Sequence, residues 1–208
     1  MDKRIDTLIK TWQKRNILGL YCENEQTAQE KILEIIPVDV SVGFSGSLTL
    51  EELNIAKRLE SRGNKVLSHN KAGLTRQESL DLRRLATGAD YYLASANAIS
   101  EKGELVFFSA YGNRIAGISY AKNVILVCGI NKITANLQEA LKRAREYAVP
   151  LNCKRLNFNT PCLKDGICLK EICLFPEYKR MCCQILIIEA EISPDRLKVI
   201  LVGEPLGF

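Results

Sequence analysis

The sequence predicts an α/β protein: a mostly parallel open sheet with helices on both faces, then a cysteine-rich segment and a closing β-hairpin. Strand-like and helix-like stretches alternate from residue 25 to about 147, the signature of a parallel sheet covered on both faces. The strand candidates are continuous apolar runs, such as "NVILVCG" over 123–129, as strands buried on both faces must be. The chain has 208 residues, 47% hydrophobic and 25% charged, enough for one substantial core. Residues 1–208 therefore read as a single domain, with 1–15 as an N-terminal helix and 150–183 as a Cys-rich flap within it.

Taken in order, residues 2–14 carry Ile5, Leu8, Ile9 and Trp12 on one helical face. "ILGLYC" (17–22) reads as a short extended segment. Asn24 caps a helix over 25–35 that buries Ala28, Ile32 and Ile35 and ends at Pro37. "VDVSVGF" (38–44) alternates like a strand. Thr49-Leu50-Glu51-Glu52 matches a capping box and predicts one helix from about 50 to 62, stopped by Gly63. "KVLS" (65–68) is a short strand, and Thr75-Arg76-Gln77-Glu78 is a second capping box for a helix ending near Gly88. "ADYYLAS" (89–95), "GELVFFS" (103–109) and 123–129 are strands, and Asn136 caps a helix carrying Leu137, Leu141 and Ala144 inward. Beyond Pro150 neither period is visible until "QILIIEAEI" (184–192) and "RLKVILVGE" (196–204), which predict a hairpin around Ser193-Pro194-Asp195.

Composition excludes several function classes. No apolar run approaches the ~20 residues of a membrane span. The start, "MDKRIDTLIKTWQKR", lacks the apolar core of a signal peptide, so a cytoplasmic protein is expected. A net charge of +5 without a dense Lys/Arg stripe suits a small anionic ligand and gives no case for nucleic acid. A homodimer is the default oligomer for such a protein. Six of the eight cysteines fall between Cys153 and Cys183, a clustering that in a reducing compartment points to metal or redox chemistry.

Three stretches can carry chemistry. In "VGFSGSLTLEEL" (42–53) a strand enters a Gly/Ser turn and then a helix. Gly43 and Gly46 permit close backbone approach, Ser45 and Ser47 add hydroxyls, and the helix start offers free N–H groups to an anion. The alternative is a plain connecting turn. In "NAISEKGELVFFSAYGNRIAG" (97–117), Asn97 follows a strand end, and Gly112, Asn113 and Arg114 form a turn whose arginine suits a carboxylate or phosphate. Ligands of open α/β sheets bind just outside such strand ends, so the two stretches can line one crevice. The alternative is a polar hairpin with a solvated Arg114. The third stretch holds Cys162, Cys168, Cys173 and Cys182, four thiolates able to bind zinc or an iron–sulfur cluster, with Pro161 and Gly166 as turn residues. The alternative is a flap of ordinary thiols. His69, the sole histidine, reads as part of an exposed loop, "SHNKAG".

In this order, "VGFSGSLTLEEL", "ADYYLASANAISEKGEL", "YGNRIAG", "VCGINKI", the cysteine tail and "VILVGEPLGF" make the chain resemble the lactate-utilization (LUD) domain family over about residues 5–208. The resemblance implies a fold similar to the ribose-phosphate isomerases, sugar-phosphate deaminases and coenzyme A transferases, which bind phosphates or acyl-CoA at glycine-rich turns. It implies a place in oxidation of L-lactate to pyruvate, beside partner proteins carrying iron–sulfur clusters. By the same analogy Glu101 or Glu104 is the best general base or nucleophile, able to attack an acyl thioester. The rival readings are an acyl-CoA or sugar-phosphate enzyme and a non-catalytic metal-binding partner module. The chain departs from the family pattern at Ser109, where Asp is common, at Ser100 for Thr, at Cys183 for Asn, and in a longer Cys168–Cys173 spacing.

Overall fold

The computed structural model describes residues 2–165, 168 and 170–208. Helix α1 (Lys3–Gln13) buries Ile5, Leu8 and Trp12, the stripe expected from its spacing, and Asp2 caps it. It leads to β1 (Leu18–Cys22), α2 (Glu25–Ile35) and β2 (Ser41–Phe44). Asn24 and Thr27 close a reciprocal cap at the start of α2.

The single helix expected over 50–62 is two: α3 (Leu48–Glu52) and α4 (Ile55–Ser61). Asn54 breaks them with φ of 48°, a left-handed conformation that Asn tolerates. The cap position is Ser47, not Thr49. Thr49 lies inside α3, its hydroxyl turned into the protein toward the Leu206 carbonyl (3.3 Å). The break keeps both Leu53 and Ile55 buried.

The chain continues through β3 (Lys65–Leu67), α5 (Arg76–Thr87), β4 (Tyr91–Ala94), β5 (Ala98–Ser100), β6 (Leu105–Ser109), α6 (Asn113–Tyr120), β7 (Val124–Gly129), β8 (Ile133–Thr134) and α7 (Leu137–Arg143). The Thr75–Glu78 capping box forms as predicted. After α7 a wide turn over 144–148 runs into α8 (Val149–Arg155), so the expected loss of helical structure at Pro150 does not occur. Proline is tolerated in a first helical turn, where its missing N–H costs little. Then come α9 (Pro161–Asp165), β9 (Gln184–Ile188) and β10 (Leu197–Val202). Gly166 lies outside the described residues.

Six parallel strands form the main sheet in the order β1-β10-β7-β4-β2-β3. Side chains alternate between its faces. Val124, Leu126 and Cys128 join the core beneath α1 and α6, while Ile125 and Val127 join the core beneath α2, α3 and α4. A second sheet of order β8-β5-β6-β9 stands on the α1 side. Its Ile99, Leu105 and Phe107 face the main sheet's core, and its Ala98, Val106 and Phe108 pack on α7 and α8.

The predicted C-terminal hairpin is replaced by two strands in different sheets. Strand β9 lies antiparallel to β6, with Leu186 opposite Phe107. Strand β10 inserts between β1 and β7, with Ile200 beside Leu20 and Val127. "LKVILV" is apolar at both parities and suits a strand covered on both sides. On β9, Ile185 and Ile187 stay partly exposed.

Trp12 reaches across to the second sheet, donating its indole N–H to the Gly103 carbonyl (2.9 Å). Arg4 approaches Glu101 (3.6 Å) and Arg15 approaches Glu104 (3.8 Å). The β5–β6 turn is thus clasped by α1.

Candidate functional site

The carboxyl ends of β2, β4 and β7 converge, and the chain leaves β2 and β4 toward opposite faces. From β2 it enters α3 on one side; from β4 it enters β5 and the second sheet on the other. Adjacent strands that diverge in this way open a crevice at the sheet edge. A cavity of about 300 Å³ lies there.

Arg114, from the first turn of α6, closes the floor. Its Nη2 donates to the Gly46 carbonyl (2.8 Å), and its Nη1 donates to the Phe108 carbonyl (3.2 Å) and Asn97 Oδ1 (3.3 Å). One guanidinium therefore joins the Gly/Ser turn, the β4 end and the second sheet. Asn97 Oδ1 also accepts from the Phe108 N–H (2.8 Å), and its carbonyl accepts from Arg143 (2.7 Å). The partners of Arg114 are all neutral.

Arg83, Arg155, His69, Asn113 and Ser45 add to the polar lining, and no Asp or Glu lines the cavity among the described residues. Arg155 pairs with Glu51 outside it (2.9 Å), whereas Arg83, Arg114 and His69 have no ion pair among the described residues. Burial lowers the proton affinity of both Arg83 and Arg114. Burial, then the charges of Arg83 and Arg114, brings His69 down to about 4. Ser45 Oγ and His69 Nδ1 are buried with no hydrogen-bond partner among the described residues. Buried polar atoms without partners are uncommon and call for an explanation.

The predicted residues divide. Ser45, Gly46, Asn97, Asn113 and Arg114 line the cavity. Ser47 faces a smaller chamber next to it. Gly43 sits within β2 where a Cβ would meet the Ala86 carbonyl at 2.1 Å, so its role is close packing of α5. Gly112 turns the chain into α6 with φ of 81° and lies against Gln184. Glu101 and Glu104 are at the far end of the β5–β6 hairpin against α1, apart from the cavity. His69 is partly buried against Gly46 instead of standing in an exposed loop.

The cysteines gather elsewhere. Cys162, Cys168, Cys173 and Cys182 surround one pocket of about 20 Å³, joined by Cys153 from α8. Burial pushes the Cys153 thiol up to about 12 and raises Cys168 and Cys173 as well. Among the described residues no three Cys, His, Asp or Glu side chains are arranged to hold a metal ion. Cys153 and Cys173 are buried, whereas Cys162, Cys168 and Cys182 are half-buried at the pocket's edge.

Sequence reasoning passed over Lys132, Arg83 and Cys153. Lys132 carried a usable signal: a lysine directly after the most apolar strand is placed at the strand ends where ligands bind.

Comparison with known proteins gives the family. The family model described as the LUD domain matches residues 5–202. The chain belongs to the LUD domain family. This LUD domain also matches the crystal structure of a DUF162 family protein from Deinococcus radiodurans, at 12% identity and a TM-score of 0.48, over 96% of this chain and 94% of that one. A search of curated proteins finds no match. No helix of this LUD domain, among the described residues, is long and apolar enough to cross a membrane.

The His69 environment makes a checkable statement about pH. The imidazole binds a proton less readily in the folded chain, at about 4 against 6.5. Its stabilising contribution is complete above pH 6.5 and is lost as pH falls toward 4, because the unfolded chain takes up the proton first. The loss is on the order of 2–3 kcal/mol. Denaturant melts of wild type and His69→Gln between pH 7 and 4 should converge or cross by that amount; parallel curves would refute it.

Proposed function

We propose that this LUD domain binds a small organic acid in lactate utilization, holding its carboxylate on Arg114 in the cavity at the β2 and β4 ends. Membership of the family supports a lactate-utilization-related function in general. One observation carries the site: a half-buried guanidinium whose hydrogen-bond partners are all neutral, in a cavity lined by three arginines and no carboxylate among the described residues. Burying uncompensated charge is costly, and an anionic ligand offsets that cost. L-lactate and pyruvate fit the volume and the charge. In conversion of L-lactate to pyruvate, a partner protein would accept the two electrons released.

An acyl-CoA or sugar-phosphate enzyme would use the same arginines for phosphate. Glu101 and Glu104 lend it no support, since they face α1. A metal-binding partner module is favoured by the convergence of five cysteines on one pocket. Metal analysis and a visible spectrum of anaerobically purified protein test it: bound metal that falls in Cys168→Ser supports that module, and metal-free protein removes it. The organic-acid reading is tested by calorimetric titration with L-lactate, pyruvate and inorganic phosphate. Saturable binding of a carboxylate supports it.

A further inference from the structure

Lys132 has no task in the reading above, yet its burial is costly. Its side chain follows β7 in a tight turn and is 3% exposed. The Nζ donates to Thr49 Oγ1 (2.9 Å) and Ser95 Oγ (2.8 Å). Those hydroxyls have carbonyls for their own protons, Leu206 at 3.3 Å and Ala96 at 3.4 Å. An ammonium has three donors, so one remains after these two bonds.

No carboxylate is ion-paired with Lys132 among the described residues. Burial brings its amine down to about 8, with the Arg143 and Arg114 charges adding to the fall and Cys128 and Glu52 opposing it. Roughly a tenth of it is then neutral at pH 7. Desolvation beside other cations is the means by which a lysine amine becomes a nucleophile at neutral pH.

The placement points at a ligand. Lys132 lines a chamber of about 40 Å³, which shares Gly46, Asn97, Arg114 and Asn152 with the main cavity. The final segment folds over it: Asn131 Nδ2 donates to the Gly207 carbonyl (3.1 Å), and the Leu206 N–H donates to Asn131 Oδ1 (3.1 Å). A chamber of this size has room for one small functional group, not for a whole metabolite. A ligand whose charge stays on Arg114 would present only its neighbouring atoms to Lys132.

We propose that Lys132 is a carbonyl-capturing amine, which condenses reversibly with a 2-oxo acid whose carboxylate rests on Arg114. This rests on the anion-site reading of the cavity. In the step, the neutral Nζ attacks the C2 carbonyl carbon, and the carbonyl electron pair moves to oxygen, which takes a proton. The carbinolamine then loses that hydroxyl as water as the C=N bond forms and nitrogen gives up its proton. Amine and ketone become imine and water, with no change of oxidation state. The Ser95 and Thr49 hydroxyls flank the nitrogen and relay the protons.

The test treats the full chain with pyruvate and sodium cyanoborohydride at pH 8, followed by peptide mass spectrometry. A 1-carboxyethyl group should accumulate on Lys132 at least about tenfold faster than on exposed lysines, through the advantage of a held reactant. Inorganic phosphate should suppress the labelling in wild type, Arg114→Ala should lose it, and Lys132→Arg should leave position 132 unmodified. Dihydroxyacetone phosphate is the parallel arm, and an adduct from it alone overturns the assignment to 2-oxo acids. Labelling no faster than at surface lysines, or indifferent to both phosphate and Arg114→Ala, overturns the proposal. If pyruvate raises the melting temperature of wild type but leaves Lys132 unlabelled, the amine chemistry fails and the anion site stands. If neither pyruvate nor phosphate raises it, the anion site itself fails.

Discussion

Arg114→Ala abolishes the rise in melting temperature that a bound carboxylate gives the wild-type protein. The guanidinium bonds to the Gly46 carbonyl, the Asn97 side chain and the Phe108 carbonyl together. Its removal takes a positive charge from the cavity and frees two carbonyls that it satisfied. A charge-assisted contact of this kind is worth about 2–3 kcal/mol, so affinity should fall roughly 30- to 150-fold. The carbonyls left behind face a cavity that water can enter, which limits the cost to the fold. Arg114→Lys separates the two effects: it keeps the charge but not the forked geometry that holds three acceptors. It should retain part of the affinity. A thermal shift series with L-lactate, pyruvate and phosphate reads both variants, and an unchanged shift in Arg114→Ala removes Arg114 from the site.

Trp12→Ala carries the largest expected loss of stability. The indole is fully buried between α1, the main sheet and the β5–β6 turn, and its N–H satisfies the Gly103 carbonyl. Large-to-small truncation of a buried Trp costs about 3–5 kcal/mol, and the orphaned carbonyl adds about 1 kcal/mol or more. For a domain of this size that corresponds to a fall of roughly 10–15 °C in melting temperature. A shift below about 1 kcal/mol in a denaturant melt would show that α1 does not clamp the second sheet. The same clasp explains why Glu101 and Glu104 stand where they do: each faces an arginine of the N-terminal segment.

Much of the architecture was legible because local signals agreed with burial. The stripe on α1, the caps at Asn24, Thr75 and Asn136, and the doubly apolar β7 each have a local cause. The second sheet was not legible. Strand β6 reads like a member of the main sheet because it too is buried on both faces, the three-residue β5 has no strand signal of its own, and nothing local says which sheet either joins. The C-terminal hairpin failed for a related reason. A short polar link permits two strands to pair, but β10 gains more from two parallel neighbours than from β9. Thr49 matched a capping pattern by sequence alone, while tertiary contacts drew its hydroxyl to Lys132 and Leu206.

The site was legible in outline and not in its charges. Strand-end logic brought Gly46, Asn97 and Arg114 together, and the structure places them within hydrogen-bond distance. Arg83 and His69 come from α5 and the loop after β3, and no spacing rule links either to Arg114. Lys132 was quoted in "GINKI" without a role because its burial depends on the chain's last residues folding over it.

The most direct test of the account is calorimetric titration of the wild-type protein and Arg114→Ala with L-lactate, pyruvate and inorganic phosphate at two salt concentrations. Saturable binding of at least one carboxylate to wild type, weakened by salt and lost in Arg114→Ala, is the expected result. Heats that are absent from wild type, or identical in the variant, would contradict it.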